Sequence, residues 1–266
     1  FVVNNEKISL TPVYRTVYGG IDRLRPALRT ACPRPVVDTQ KMLLKAFFDR
    51  NGLVPQLSGE VNDRMLVSRM CKNFITTYIS DIKNFSSFVS NPVEINVDSI
   101  ENWMLGQTKA AVDDVFRDED YNIFMKELTK YSFILKKLPK PKLECGAEMK
   151  FLSPQTIAHQ CKKINAIFCP IVRDIKRRLI AVLKRDKIMY CDMSPGELED
   201  VLTYRLPKDR FESYKYFLEV DFSKYDKSQN RVSLMFELEM MRLLGVPEYL
   251  LPYWVILHVY TRLYNP

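Results

Sequence analysis

Between Thr156 and Lys184 the apolar residues Ile157, Cys161, Ile164, Phe168, Ile171, Ile175, Leu179 and Val182 recur at intervals of three and four. A helix places residues at that spacing on one face, so the pattern predicts one long helix here. Pro170 has no amide hydrogen and crowds the preceding turn, so it is expected to bend this helix or divide it in two. The same periodicity predicts shorter helices over Lys41–Arg50, Asn62–Ser80 and Asp118–Tyr131, and over Val97–Gly106 with a cap at Asp98/Ser99.

Elsewhere the pattern changes. Within Phe133–Ser153 lies LKKLPKPKLECGAEMK, where Pro139 and Pro141 exclude regular helix, so an extended or looped segment is expected. Lys187–Met193 reads as a short apolar strand, and Ser194-Pro195-Gly196-Glu197 as a capping box with proline at the first helical position. Tyr216–Asp221 alternates as a strand does, and Ser228–Leu244 is an amphipathic helix ended by Gly245 and Pro247. The first forty residues, rich in proline and arginine (Arg23, Arg25, Pro26, Arg29, Pro33, Arg34, Pro35), read as an extended arm. The whole is an α+β or α/β arrangement with a mostly helical front end. Apolar residues make up 47%, which excludes wholesale disorder. Only 8 glycines are present, and neither GxGxxG nor GxxxxGK[ST] occurs, so a glycine-rich phosphate loop is excluded.

The net charge of +8 points to polyanionic partners, either nucleic acid or an anionic membrane surface. Cys32, Cys71, Cys145, Cys161, Cys169 and Cys191 form no CxxC, and His159 and His258 complete no metal-ligand spacing, so neither zinc nor disulfides are expected. His159 on its expected helix and His258 in its apolar run read as packing or hydrogen-bonding residues. The aromatic residues read as mostly core, without the basic interleaving of a stacking platform. The chain opens Phe1-Val2-Val3 without a methionine or signal peptide and closes in mid-pattern, so it is read as a segment of something longer. Tyr249–Tyr260, interrupted by Pro252, is too short to span a bilayer.

Two features could carry chemistry. The first is Asp221-x4-Asp226 at the exit of the expected strand, since hard Mg2+ takes carboxylate oxygens. Spacing alone decides nothing: Asp113 and Asp118 have the same separation on a helical stretch, and a pair of aspartates in a turn is ordinarily solvated. The second is a basic belt. Lys136–Lys150 holds five lysines against Glu144 and Glu148, and Lys162–Lys187 holds nine basic residues against Asp174 and Asp186. Such a belt releases counterions from phosphates, yet Arg173, Lys176, Arg177 and Arg178 read equally as the solvated face of the long helix.

Flanking residues separate the aspartates from their decoy. Leu218-Glu219-Val220-Asp221-Phe222-Ser223-Lys224-Tyr225-Asp226-Lys227-Ser228-Gln229 resembles motif A of the RNA-dependent RNA polymerases of alphavirus-like positive-strand RNA viruses, as in tobamovirus and virgavirus replicases. It is followed by a helix ending in Met241-Arg242-Leu243-Leu244-Gly245, as that family has it. Upstream, His159-Gln160-Cys161-Lys162-Lys163-Ile164-Asn165-Ala166-Ile167-Phe168-Cys169-Pro170 resembles the family's HSKKINAIFGP segment, with Cys169 where glycine is usual. Arg25–Ala31 and Pro55–Gly59 are also similar, so the resemblance covers most of the chain.

The resemblance implies an α+β right-hand polymerase, truncated before the remaining palm and the thumb. Residues 1–60 would be an N-terminal arm and fingertip region. Residues 61–214 would be mostly helical fingers, including a basic motif-F-like segment at 136–165. Residues 215–266 would supply the first strand and helix of the palm. Asp221 would be the catalytic ligand to Mg2+, with Mn2+ as an alternative, and Asp226 would select ribonucleotides through the ribose 2′-OH. Lys140, Lys142, Lys150, Lys162 and Lys163 would bind the triphosphate or RNA. The implied partners are RNA template and product, NTPs, and the capping and helicase domains of a larger replicase in the host cytoplasm. Host membranes enter only indirectly, through membrane-associated replication complexes. No GDD occurs in the chain, so it should be inactive by itself. The rivals are a non-catalytic RNA-binding or replicase-assembly module and a membrane-surface protein acting through the basic stretch Arg173–Lys187.

Overall fold

A computed structural model describes residues 39–51, 62–117, 128–136, 155–216, 218–220, 225 and 229–264. Its spine is a 21-residue helix, Lys162–Val182. The other elements in chain order are α1 (Gln40–Asn51), α2 (Asp63–Tyr78), α3 (Ile82–Ser87), α4 (Val97–Leu105), α5 (Lys109–Phe116), β1 (Lys130–Leu135) and β2 (Thr156–Gln160). The spine is α6, followed by α7 (Pro195–Arg205), α8 (Lys208–Glu212) and α9 (Arg231–Leu243). A 3-10 turn (Glu248–Leu250), α10 (Leu251–Val259) and β3 (Arg262–Tyr264) complete the order. Helix predominates over a three-stranded sheet ordered β2-β1-β3, a mixed architecture compatible with α+β.

The long helix is shorter than its periodicity predicts. Thr156–Gln160 pairs antiparallel with β1, from Tyr131↔Gln160 to Leu135↔Thr156, and helix begins only at Lys162. A strand can carry an apolar residue such as Ile157 without breaking the helical count, so the spacing ran on past the true boundary. Pro170 does not divide α6, which runs unbroken across it. The proline is buried, and packing around it offsets the lost hydrogen bond.

The first hydrophobic cluster gathers Ile164, Phe168 and Ile171 of α6 with Val93, Leu128, Met241, Val246, Leu250 and Leu257. The second joins Val182 to Val67, Cys71, Ile79, Phe85, Val232, Met240 and Leu244. Ile175 packs against both, so α6 carries one continuous apolar stripe through two clusters. Backbone bonds from Ser80 N–H to the Val182 carbonyl (2.9 Å) and from Lys184 N–H to the Tyr78 carbonyl (2.8 Å) lash the end of α2 to the end of α6.

Several boundaries differ from expectation. The helix expected at Asp118–Tyr131 has residues 118–127 outside the described residues, while 128–129 are a turn and Lys130 opens β1. The cap of α4 is Asn96, whose carboxamide oxygen accepts from Ser99 N–H at 2.7 Å, not Asp98/Ser99. Lys187–Met193 forms no strand: no ladder partner among the described residues reaches it, and it turns at Asp192 (φ 54°). Residues 216 and 218–220 likewise have no ladder partner among the described residues, and alternation without one leaves Tyr216 and Leu218 each 89% exposed. The Ser194 capping box is present as expected: Glu197 N–H donates to the Ser194 hydroxyl (3.3 Å) and Ser194 N–H to the Glu197 carboxylate (2.6 Å). The arm over the first forty residues lies outside the described residues except for Thr39 and Gln40.

One half-buried cation fixes the packing of α3, α6 and α9. The Arg178 guanidinium donates through Nη1 to the carbonyls of Asn91 (2.6 Å), Leu244 (3.0 Å) and Phe88 (3.4 Å) and lies 5.1 Å from the centre of the Phe88 ring. Leu244 ends α9, and Gly245 follows at φ +90° with Arg178 and the Phe88 carbonyl where a Cβ would fall. Gly245→Ala should therefore cost roughly 2–4 kcal/mol, from left-handed backbone strain plus the clash. Arg178→Met should cost about 2–3 kcal/mol by orphaning charge-assisted carbonyl contacts. Urea denaturation of the double variant should show less than the sum, because the two share one contact.

Candidate active site

Asp221 and Asp226 lie outside the described residues, as do Lys140, Lys142 and Lys150. Their immediate framework is described. Glu219 and Val220 lead to the first aspartate in exposed backbone, and Tyr225 precedes the second. Downstream, the Asn230 carboxamide oxygen accepts from Val232 N–H (2.9 Å) and Ser233 N–H (3.1 Å), fixing where α9 begins. Helix α9 is anchored by Val232, Leu234, Met240 and Met241, all buried, and Arg231 meets Asp63 of α2 at 3.2 Å. The segment bearing the aspartates is therefore followed by an element packed into both clusters.

Lys162 and Lys163 occupy the first turn of α6, directly after β2, and are half-buried. Gln160 sets this junction. Its buried side chain donates to the Leu128 carbonyl (2.7 Å) while its amide oxygen accepts from Cys161 N–H (3.0 Å). Lys162 borders an open groove of about 420 Å³ lined also by Gln107, Thr108, Ala111 and Asp114. With a carboxylate in its wall, this groove is not a dedicated anion pocket. His159, expected on a helix, is exposed on β2 instead. His258 matches its packing role: its Nδ1 donates to the Trp254 carbonyl (2.8 Å) and its ring lies 4.7 Å from that indole.

The basic stretch after Lys163 is largely committed to the fold. Besides Arg178, Lys184 donates to the Thr76 carbonyl (2.7 Å) and Arg185 to the Tyr204 carbonyl (2.8 Å), with its guanidinium 4.8 Å from the Tyr204 ring. Lys176 pairs with Asp192, which holds that carboxyl below its ordinary range, and Arg177 pairs with Asp174 at 3.3 Å. A wholly solvated face is thus the wrong description for Lys176 and Arg178, which are half-buried. A signal for Arg178 existed in the sequence: it falls three residues after Ile175, on the apolar stripe of α6, where an arginine needs buried acceptors. Among the described residues no group of three His, Cys, Asp or Glu could hold a metal ion, and no helix is long and apolar enough to cross a membrane.

A segment of this kind, a helical body with a small sheet leading into a paired-aspartate stretch and an anchored helix, is matched by known proteins along almost its whole length. Residues 8–265 match the family described as RNA dependent RNA polymerase, and the chain belongs to that family. It is 33% identical over 236 residues to the RNA replication protein of Citrus leprosis virus C, an alignment covering 88% of this chain and 9% of that protein. It is 30% identical over 244 residues to the replicase large subunit of Pepper mild mottle virus (strain Spain), and 29% identical over 242 residues to that of Turnip vein-clearing virus. Each of these two alignments covers 90% of the chain and 14% of the relative. The chain therefore spans only about a tenth to a seventh of these relatives' length.

The helix that follows the aspartates carries a pH-dependent contact. The Arg242 guanidinium grips Glu239 at 2.6 and 3.1 Å, and this hydrogen bonding holds the Glu239 carboxyl below the ordinary glutamate range. A depressed carboxyl stabilises the fold above its unfolded value and loses that contribution as pH falls through the folded one. Acid titration of stability should therefore be shallower for Glu239→Gln than for the parent below about pH 4.3. The difference is small because the pair is more than a third exposed.

Proposed function

We propose that the chain is the fingers and the opening of the palm of a viral RNA-directed RNA polymerase, which joins nucleotides on an RNA template within a larger replicase. The observation that carries this reading is the family match over residues 8–265, with LEVDFSKYDKSQ falling inside it at 218–229. Residues 1–60 are assigned to the arm and fingertip, 61–214 to the fingers, and 215–266 to the start of the palm. Helix α9 is then the palm helix behind motif A, and its burial in both clusters supports a rigid mount for the aspartates.

Asp221 supplies a carboxylate of the type a hard divalent cation such as Mg2+ takes. When bound, a pair of such ions neutralises charge on the attacking and leaving oxygens of an in-line displacement. Asp226 is assigned to the ribose, where a carboxylate can accept a hydrogen bond from the 2′-OH and so distinguish ribonucleotides from deoxyribonucleotides. Lys140, Lys142 and Lys150 are assigned to the triphosphate, where fixed positive charge binds NTP and stabilises the departing pyrophosphate. Lys162 and Lys163 are assigned to the RNA backbone. By the same resemblance the parent is assigned RNA template and product and NTPs as substrates, and capping and helicase domains as partners, in membrane-associated complexes of the host cytoplasm.

The test is nucleotide incorporation by the parent replicase on a defined template. Asp221→Asn should lower the rate roughly hundredfold or more. Asp226→Asn should retain synthesis while narrowing the preference for NTP over dNTP. Incorporation unaffected by Asp221→Asn would remove the catalytic assignment. The 266 residues alone, carrying no GDD, should show no templated synthesis.

A further inference from the structure

The turn that carries Lys162 and Lys163 is held by one buried amide. Gln160 closes β2 opposite Tyr131 of β1 and is 7% exposed. Its side-chain nitrogen donates to the carbonyl of Leu128, a wholly buried residue of the first cluster, and its side-chain oxygen accepts from Cys161 N–H. The Asn165 carboxamide donates to the Gln160 main-chain carbonyl at 3.3 Å from one turn inside the helix. Helix α6 itself begins at Cys161 without a side-chain cap. Its first turn holds two lysines and no acid, against the preference of the helix dipole for negative charge at that end. Helix stability therefore does not account for lysines in this place.

Gln160 is bonded backward to the turn before β1 and forward to the first amide at the head of α6, so it fixes the direction in which the helix leaves the sheet. That direction sets where Lys162 stands at the edge of the groove lined by Gln107, Thr108 and Asp114. We propose that Gln160 is a positioning residue for the replicase reaction: it touches no substrate and acts through Lys162, whose reach to the RNA backbone it sets. The proposal rests on the polymerase reading, in which Lys162 serves that backbone. Gln160→Met keeps the length and bulk of the side chain but leaves the Leu128 carbonyl and Cys161 N–H without the amide between them. The first turn of α6 then shifts, and a displaced lysine loses its phosphate contact, because a hydrogen bond weakens steeply with distance and angle.

Nucleotide incorporation by the parent replicase on a single-stranded template, with template affinity followed against salt, tests this. Lys162→Gln should lower the slope of log affinity against log salt by about 0.7, the share of one phosphate on a single strand. Gln160→Met should lower it nearly as much and raise the template KM on the order of tenfold with kcat unchanged, the worth of one charge-assisted contact. In the Lys162→Gln background Gln160→Met should change neither slope nor KM further, because its action passes through that lysine. Ile171→Val, which opens a small cavity in the same cluster as Leu128, controls for lost stability and should leave both readings unchanged. If Gln160→Met does not fold, Asn165→Ala, which removes the bond to the Gln160 carbonyl, should give the same pattern at smaller amplitude. Equal effects of Gln160→Met in the two backgrounds, an unchanged slope, or the same loss from Ile171→Val would each overturn the positioning role. An unchanged slope in Lys162→Gln would remove that lysine from the RNA contact and the proposal with it. The polymerase reading fails on a different measurement, synthesis by Asp221→Asn.

Discussion

The architecture depends on Arg178. A guanidinium half-buried among apolar side chains would be costly if its donors had no acceptors, and here three carbonyls from two distant segments supply them. Two of those carbonyls follow α3 and the third ends α9, so a single side chain of α6 sets where both segments stop. Gly245 completes the arrangement by turning through positive φ and leaving no side chain against the guanidinium. With α9 fixed at its end by Arg178 and at its start by Asn230, the stretch carrying Asp221 and Asp226 feeds into a helix with little freedom to slide.

This division of labour among the cations changes how the positive charge is understood. A net charge of +8 and a dense basic stretch point to a polyanion, but much of the stretch over 176–185 serves backbone carbonyls and a few carboxylates. Exposed cations are spread over the helices instead, at Arg64, Arg69 and Lys72 of α2, Lys83 of α3 and Lys208 of α8 among others.

Helices α1, α2, α6 and α9 were legible in the sequence because each carries an apolar stripe of helical period, and the Ser194 capping box and the Gly245 stop because their chemistry is local. Strands were less readable. β2 was absorbed into the helix after it, since Ile157 happened to fit the helical count, and Tyr216–Asp221 alternates without any described strand beside it. Pairing is a property of two segments, and one segment's alternation does not disclose it. For the same reason the pairing of β1 with both β2 and β3 could not be seen along the chain. The aspartate motif was legible only through its flanking residues, because the same separation also occurs at Asp113 and Asp118.

The central claim is that Asp221 belongs to a metal-dependent polymerase centre faced by the lysine-rich segment around Lys140–Lys150. Metal-directed cleavage addresses it most directly: the parent replicase is loaded with Fe2+ in place of Mg2+, treated with ascorbate and peroxide, and its backbone cuts are mapped by mass spectrometry. The account predicts cuts clustered near residue 221 and within 140–150, suppressed by excess Mg2+ and lost in Asp221→Asn. Cuts elsewhere, or a pattern indifferent to Asp221→Asn, would contradict it.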